Sequence, residues 1–345
     1  MSDAALFSTR LAFEASQTPE AARTQILRTK QIFAELGDRL RNNPPAFVAI
    51  CSRGSSHHIS TYGKYLIETQ MLKPVASLEL SVASVYNCVM DLKNSLFIVV
   101  SQSGKSPDIL TMTEKAKKAG AYTVGFINDE NSPLFSLCDL SIPLSAGPEY
   151  SVAATKSCLL SALAYLQLTA HWKQDPTLLA SIDHLPDQLE AACHLDWSQA
   201  LIQLQKSTGL YVIGRGAGLG IAQEVALKLK ETSLLHAEAF SSAEVIHGPL
   251  ALAREGFPVL LLGQNDETLP SILDAGQRFL KAGATLFSSV PLARSVELPV
   301  QDNLLPFIAP LCQLQSFYLA VSELAAKRGL DPDRPPLLNK VTETV

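Results

Sequence analysis

The sequence predicts two doubly wound, parallel-sheet α/β domains in tandem, and three observations predict them. The first is size: 345 residues, 47% hydrophobic and 18% charged, exceed one ordinary core and suit two domains. The second is a strand–turn–helix pattern. Phe47-Val48-Ala49-Ile50-Cys51 is a short apolar run, Ser52-Arg53-Gly54-Ser55-Ser56 a tight polar turn, and residues 57–71 carry helical periodicity. The third is that the pattern occurs twice. Leu210-Tyr211-Val212-Ile213-Gly214 leads into Arg215-Gly216-Ala217-Gly218 and a helical stretch ending Lys228-Leu229-Lys230-Glu231-Thr232. Arg53-Gly54 returns as Arg215-Gly216 after 162 positions, and Glu68-Thr69 as Glu231-Thr232 after 163, a regularity that marks an internal repeat.

Each segment follows in order. Residues 1–44 are polar and helix-compatible and close on the breaker Asn42-Asn43-Pro44-Pro45. The first domain is expected over 45–170. Within it the strand Leu96–Val100, a loop from Ser101 and a helix ending Ala119-Gly120-Ala121 form a second unit. They are matched by Val259–Leu262, a loop from Gly263 and Ala282-Gly283-Ala284 in a second domain over 199–330. Strands alternating with helices indicate parallel sheets covered on both faces. Residues 171–198, with Pro176 and Pro186, read as a helical connector. The tail 331–345 begins Asp331-Pro332-Asp333-Arg334-Pro335-Pro336, cannot continue a helix, and is expected to run over the surface and place its last residues.

Composition excludes several classes. A net charge of −5 leaves no basic stripe for a nucleic-acid backbone, so no such partner is expected, although a local nest of N–H groups can still hold a small phosphate. The six cysteines, at 51, 88, 138, 158, 193 and 312, show no C-x-x-C pair and no zinc-like Cys/His spacing. They read as free thiols in a reducing compartment, with no metal and no organic cofactor expected. The N-terminus has no targeting pattern and no apolar run reaches membrane-spanning length, so a cytoplasmic location without membrane association is expected.

Two stretches could carry chemistry. Ser101-Gln102-Ser103-Gly104-Lys105-Ser106 sits where a strand ends and the helix from about Pro107 begins, the crevice in which open α/β sheets bind ligands. Its hydroxyls, amide and N–H groups, with Ser55-Ser56 from the neighbouring turn, suit a phosphate, though Ser/Gly clusters at strand ends also serve as plain caps and turns. The second copy has Gly263-Gln264-Asn265-Asp266-Glu267 there, whose carboxylates would repel phosphate, so one binding loop per chain is expected. Lys228, Glu231, His236, Glu238, Glu244 and His247 form the other stretch. Lys228 and Glu231 share a helix face at i, i+3, placing a base beside a cation, yet such a pair is more often a solvated surface pair. Glu238 and Glu244 read as structural, His57 and His58 as helix-start residues, and Lys105 as a solvated loop tip. Lys156, in Val152-Ala153-Ala154-Thr155-Lys156, either caps a helix or approaches a ligand.

Together these strings, with Ala226-Leu227-Lys228-Leu229-Lys230-Glu231, His236-Ala237-Glu238-Ala239, His247-Gly248-Pro249-Leu250-Ala251 and the tail around Lys340, resemble the double sugar-isomerase (SIS) domain family, most closely the isomerase half of glucosamine-6-phosphate synthase. The resemblance implies tandem flavodoxin-like, three-layer αβα SIS domains. It implies that Ser55, Ser56, Ser101, Gln102, Ser103 and Ser106 hold the phosphate of a hexose or hexosamine 6-phosphate, with Val152 lining the sugar pocket. Glu231 is then the base moving a proton between C1 and C2, Lys228 steadies the enediol or enolamine charge, and Lys340 reaches an open-chain carbonyl as a Schiff-base former. His247 opens the sugar ring from the partner subunit of a homodimer.

Two departures shape the expected activity. The chain enters the SIS region within about forty-five residues, without the synthase's glutaminase half, and Ser52-Arg53 stands where the synthase has a Cys-Gly-Thr-Ser type turn. A stand-alone double-SIS chain looks like a glucosamine-6-phosphate deaminase, releasing fructose 6-phosphate and ammonia. The alternatives are a related deglycase or isomerase acting on fructosamine 6-phosphate or galactosamine 6-phosphate, and a non-catalytic phosphosugar sensor.

Overall fold

Helices α1 (Arg10–Ser16) and α2 (Thr18–Asn42) precede β1 (Phe47–Cys51), α3 (Gly54–Gln70), β2 (Val75–Ser77), α4 (Leu80–Ser84), β3 (Ser95–Ser101), α5 (Pro107–Lys118), β4 (Tyr122–Ile127), α6 (Pro133–Leu137), β5 (Leu140–Pro143) and α7 (Lys156–Lys173). After α8 (Pro176–Cys193) and the short α9 (Ser198–Leu201) the alternation restarts. It runs through β6 (Gly209–Gly214), α10 (Gly218–Ser233), β7 (His236–Ser241), β8 (Pro258–Leu261), α11 (Leu269–Lys281), β9 (Thr285–Ser288), β10 (Val296–Glu297) and α12 (Ala309–Lys327). This computed structural model describes residues 9–340.

The first sheet has the order β2-β1-β3-β4-β5 and the second β7-β6-β8-β9-β10, every pairing parallel. Both are therefore the same doubly wound 2-1-3-4-5 sheet, and the tandem α/β fold expected from the repeat is the one observed. In each sheet the winding reverses between its first and third strands, which opens a crevice at their carboxyl ends. Burial explains the legible strands: every residue of β3 and of β8 is buried, as a central strand covered on both faces requires.

The chain divides into two compact units. The amino-terminal unit holds 20–148, 156–184 and the stretch from Asn339; the carboxy-terminal unit holds the chain through Pro19, 149–155 and 185–338. In the amino-terminal unit, α7 is buried at all positions except His171 and Lys173, its apolar residues being spread around the whole helix with no polar face. Its Tyr165 ring lies against Gly63 of α3, where a Cβ would collide, and its hydroxyl donates to Ser60 Oγ at 3.0 Å. In the carboxy-terminal unit the first helix is stitched in by carboxylates. Asp333 accepts from the amides of Arg10 (2.8 Å) and Leu11 (2.7 Å) and from Ser151 Oγ (3.3 Å). Buried Glu14 accepts from the amides of Tyr150 (2.6 Å) and Ser151 (3.2 Å).

Helix α3 begins at Gly54, earlier than its periodicity suggests. Gly54 takes φ +53° directly after extended Arg53, so the chain enters the helix at once, and Ser55 and Ser56 stand on its first turn rather than in a loop. No helix among the described residues is long and apolar enough to cross a membrane.

Candidate active site

In the amino-terminal unit, Ser101 ends β3 and Ser106 is the N-cap residue of α5, with Pro107 next. Gly104 turns the loop with φ +62° and lies so close to Ser132 that a Cβ would strike its side chain. Ser101 Oγ accepts from the Gly104 amide (2.9 Å) and Ser103 Oγ from that of Lys105 (3.4 Å). Ser106 makes no side-chain capping bond. Among the described residues, the side chains of Gln102 and Ser106 have no hydrogen-bond partner. The first amides of α3, at Gly54 and Ser56, have no intrahelical acceptor by helix geometry. The loops after β1 and β3 thus present amides and uncommitted polar groups at the reversal point of the sheet, an arrangement suited to an anion.

An ion pair joins these two loops, through Asp108, a residue that sequence reasoning did not single out. Arg53 Nε donates to Asp108 Oδ2 at 2.6 Å, and its Nη2 pairs with the same carboxylate. Asp108 is fully buried and also accepts from the Ile109 amide at 2.7 Å. The partners lie 55 positions apart, so no local pattern announces them. Lys105, expected to be solvated, is exposed yet paired with Asp129 at 2.8 Å. The bond to Lys105 holds the Asp129 carboxyl below the usual carboxylate range. Lys156 is buried at the start of α7, its ammonium donating to the Pro148 carbonyl at 3.2 Å.

In the carboxy-terminal unit, α10 sets Glu224, Lys228 and Glu231 on one face at i, i+4 and i+7. The reading of Lys228–Glu231 as a solvated surface pair is overturned: the Lys228 side chain is 1% exposed. Its Nζ lies 2.5 Å from Glu231 Oε2 and 3.4 Å from Glu224 Oε1. Glu224 is fully buried and accepts from the Tyr318 hydroxyl of α12 at 2.9 Å. Sequence reasoning missed both Glu224 and Tyr318, although the i, i+4 spacing of Glu224 to Lys228 was the available signal. Of the two carboxylates beside the buried Lys228, Glu231, with 21% of its side chain exposed, is the one that solvent or a ligand can reach. Such a group can exchange a proton while its neighbour offsets charge on an adjacent oxygen.

The sequence-predicted residues fall into two sets. Ser55, Ser56, Ser101, Gln102, Ser103 and Ser106 belong to the amino-terminal unit, as does Lys340, half-buried and engaged by a neighbour. Lys228, Glu231, His247 and Val152 belong to the carboxy-terminal unit. His247 is exposed on a short 3-10 helix, Glu244–His247. Among the described residues, no hydrogen bond or ion pair joins it to Lys228 or Glu231. Val152 is half-buried, its amide donating to the Asp333 carbonyl at 3.4 Å. No group of three or more His, Cys, Asp or Glu that could hold a metal occurs among the described residues.

The loop after β8 is closed by its own carboxylate. Asp266 accepts from the Thr268 amide (2.8 Å) and hydroxyl (2.5 Å) and from Gln264 Nε2 (2.9 Å). Gln264 Nε2 also donates to the Arg215 carbonyl at 3.0 Å, so the place an anion would take is filled from within.

The SIS domain family profile matches residues 48–171 and 203–293. Among curated relatives, the glutamine–fructose-6-phosphate aminotransferase [isomerizing] of Sulfurisphaera tokodaii is 31% identical over 85% of this chain and 49% of its own length. That of Gloeobacter violaceus is 32% identical over 85% of this chain and 51% of its own. The chain spans about half the length of these relatives. Among solved structures, a protein from Silicibacter pomeroyi DSS-3, described as a phosphosugar isomerase, superposes with TM-score 0.90 at 41% identity, covering 94% of this chain and 100% of that one. The C-terminal domain of glucosamine-fructose-6-phosphate aminotransferase from Francisella tularensis gives TM-score 0.84 at 28% identity, covering 95% and 99%. With the repeat, the paired sheets and the profile match in agreement, the chain belongs to the SIS-domain family.

Proposed function

We propose that this protein is a phosphosugar aldose–ketose isomerase whose reaction on glucosamine 6-phosphate is deamination to fructose 6-phosphate and ammonia. The observation that carries the reading is the buried Lys228 ammonium held 2.5 Å from the accessible Glu231 carboxylate, a base and a charge-stabilising cation fixed on one helix. The uncommitted groups after β3 support the phosphate-binding half of the reading, and the names of the 41% identical structure and of the curated relatives support the substrate class.

In this scheme Ser55, Ser56, Ser101, Gln102, Ser103 and Ser106 hold the phosphate and Val152 lines the sugar. His247 of the partner subunit in a homodimer opens the ring, giving the C1 aldehyde. Glu231 removes the C2 proton as the C1 carbonyl oxygen takes up the electron pair beside Lys228. Returning that proton to C1 yields the C2 imine, and water adds there to expel ammonia, so one sugar and one water give one ketose and one ammonia. Lys340 can then condense with the open-chain C2 carbonyl of the ketose as a Schiff-base former, expelling one water that returns when the Schiff base hydrolyses. The six free cysteines suit a reducing, cytoplasmic setting.

The test is to incubate the purified chain with glucosamine 6-phosphate and assay ammonia and fructose 6-phosphate in parallel. Equal amounts of both are expected, and no product above blank would remove the deaminase assignment. Turnover of galactosamine 6-phosphate or fructosamine 6-phosphate instead would move the substrate within the same chemistry. Tight hexose 6-phosphate binding without any turnover would point to a sensor.

A further inference from the structure

A cavity of about 470 Å³ opens in the carboxy-terminal unit, lined by none of Lys228, Glu231 and His247. It is built from the loops following β8 and β9, residues 300–304 after β10, and the first turns of α12. The carboxyl ends of parallel strands are where such sheets bind ligands, and the volume lies within the range of small-molecule sites.

Gln264, Gln301, Ser289 and Ser316 in its lining are engaged by hydrogen bonds, while other polar groups keep unused capacity. Gln313 is 5% exposed and donates through Nε2 to the Gly263 carbonyl at 2.6 Å, but among the described residues nothing donates to its Oε1. The side chains of Asn265, Asp302 and Asn303, which also line the cavity, have no hydrogen-bond or ion-pair partner among the described residues. Among the described residues, Asp302 is the one charged group in the lining, and no Lys, Arg or His accompanies it. A phosphate would meet a negative field with no compensating cation, whereas an ammonium would find its counter-charge. Leu269, Val290 and Leu304 supply apolar wall between the amides, matching the mixed faces of a sugar ring.

The amino-terminal unit shows how the corresponding corner is shut. Asn128, the residue after β4, accepts from the Ala146 amide (2.9 Å) and donates to the Gly147 carbonyl (3.0 Å), fastening the chain that follows β5. Ser289, the residue after β9, is shorter and turns back to accept from the Gly263 amide at 2.9 Å. Among the described residues, the end of β9 holds the chain after β10 only through the Ser288 carbonyl, which accepts from the Leu298 amide at 2.8 Å, and no side chain there fastens it as Asn128 does. We propose that the cavity between the carboxyl ends of β8 and β9 and the start of α12 is a second ligand site, taking an unphosphorylated amino sugar with its ammonium at Asp302 and its hydroxyls on Gln313, Asn265 and Asn303.

The test is calorimetric titration of the full chain with glucosamine as the probe, and with glucose as the same ring lacking the ammonium. Saturable binding at one site per chain is expected for glucosamine, with glucose weaker by about fivefold or more. Asp302→Asn, a change on an exposed loop, should weaken glucosamine by a similar factor, and Gln313→Leu should weaken both sugars. Ser103→Ala should leave glucosamine binding unchanged. Absence of saturable glucosamine binding overturns the proposal, as does binding indifferent to Asp302→Asn. Binding lost in Ser103→Ala also overturns it, because the sugar would then occupy the phosphate-type loop. Should Gln313→Leu fail to fold, the Asp302→Asn and glucose comparisons still decide.

Discussion

Helices α3 and α10 hold the same place in two identically wound sheets, yet their matching glutamates do different things. Glu68 accepts from the Val75 amide at 3.1 Å and so fastens the start of β2. Glu231 faces a buried ammonium backed by Glu224 and Tyr318. The loops after the third strands differ in the opposite sense: among the described residues the Gln102 and Ser106 side chains have no hydrogen-bond partner, while Asp266 closes the equivalent turn in the second copy. A duplicated fold offers each feature twice, and here each copy keeps one of them open and uses the other for structure. The amino-terminal copy is suited to an anion and the carboxy-terminal copy to proton transfer.

The largest effect should come from removing the proton carrier. Glu231→Gln is expected to lower turnover of glucosamine 6-phosphate by roughly 10²–10⁴-fold while calorimetry finds hexose 6-phosphate affinity little changed. Equal loss of binding would make Glu231 structural, like its counterpart Glu68. Next, Lys228→Met leaves Glu224 buried without its cation and should cost about 3–5 kcal/mol in urea unfolding; a near-neutral result would mean that the α10 cluster is not the interior ion group described. A smaller change is expected from Ser103→Asp, which gives the β3 loop an acid like that of the β8 loop. It should weaken hexose 6-phosphate binding by about ten- to a hundredfold through like-charge repulsion, and unchanged affinity would erase the distinction between the loops.

The smallest effect concerns α3 itself. Burial, then the neighbouring His58, holds the His57 imidazole below its usual range. The unfolded chain therefore takes up a proton that the folded chain refuses. The associated stability is complete above the ordinary histidine value of 6.5 and is gone once pH has dropped through the lower folded value. Thermal unfolding at about pH 7 and about pH 5 should show a shallower acid decline in His57→Asn than in the parent; identical slopes would show that His57 is not the group responsible.

The fold was legible because it rests on local signals repeated at one spacing: buried apolar runs such as Leu96–Val100 and the Arg-Gly turns at 53 and 215. β2 and β10, at three and two residues, are too short to carry a pattern. The loop Ser101–Ser106 and the pair Lys228–Glu231 could be picked out because their members are neighbours in sequence. What supports them could not. Tyr318 lies 94 positions from Glu224, and Asp108 lies 55 from Arg53, and only the folded chain brings such partners together. The membership of residues 149–155 in the carboxy-terminal unit was equally invisible, since it depends on Glu14 and Asp333 accepting amides from a segment with no periodicity of its own.

Asp333 fixes the backbone of Arg10 and Leu11, and this has a consequence for biosynthesis. Nascent domains generally fold from the N-terminus as they emerge, but α1 must wait for a carboxylate translated more than 300 positions later. The carboxy-terminal unit thus finishes assembling only after Asp333 has been translated, and ribosome-bound chains stopped short of it would carry α1 without its clasp.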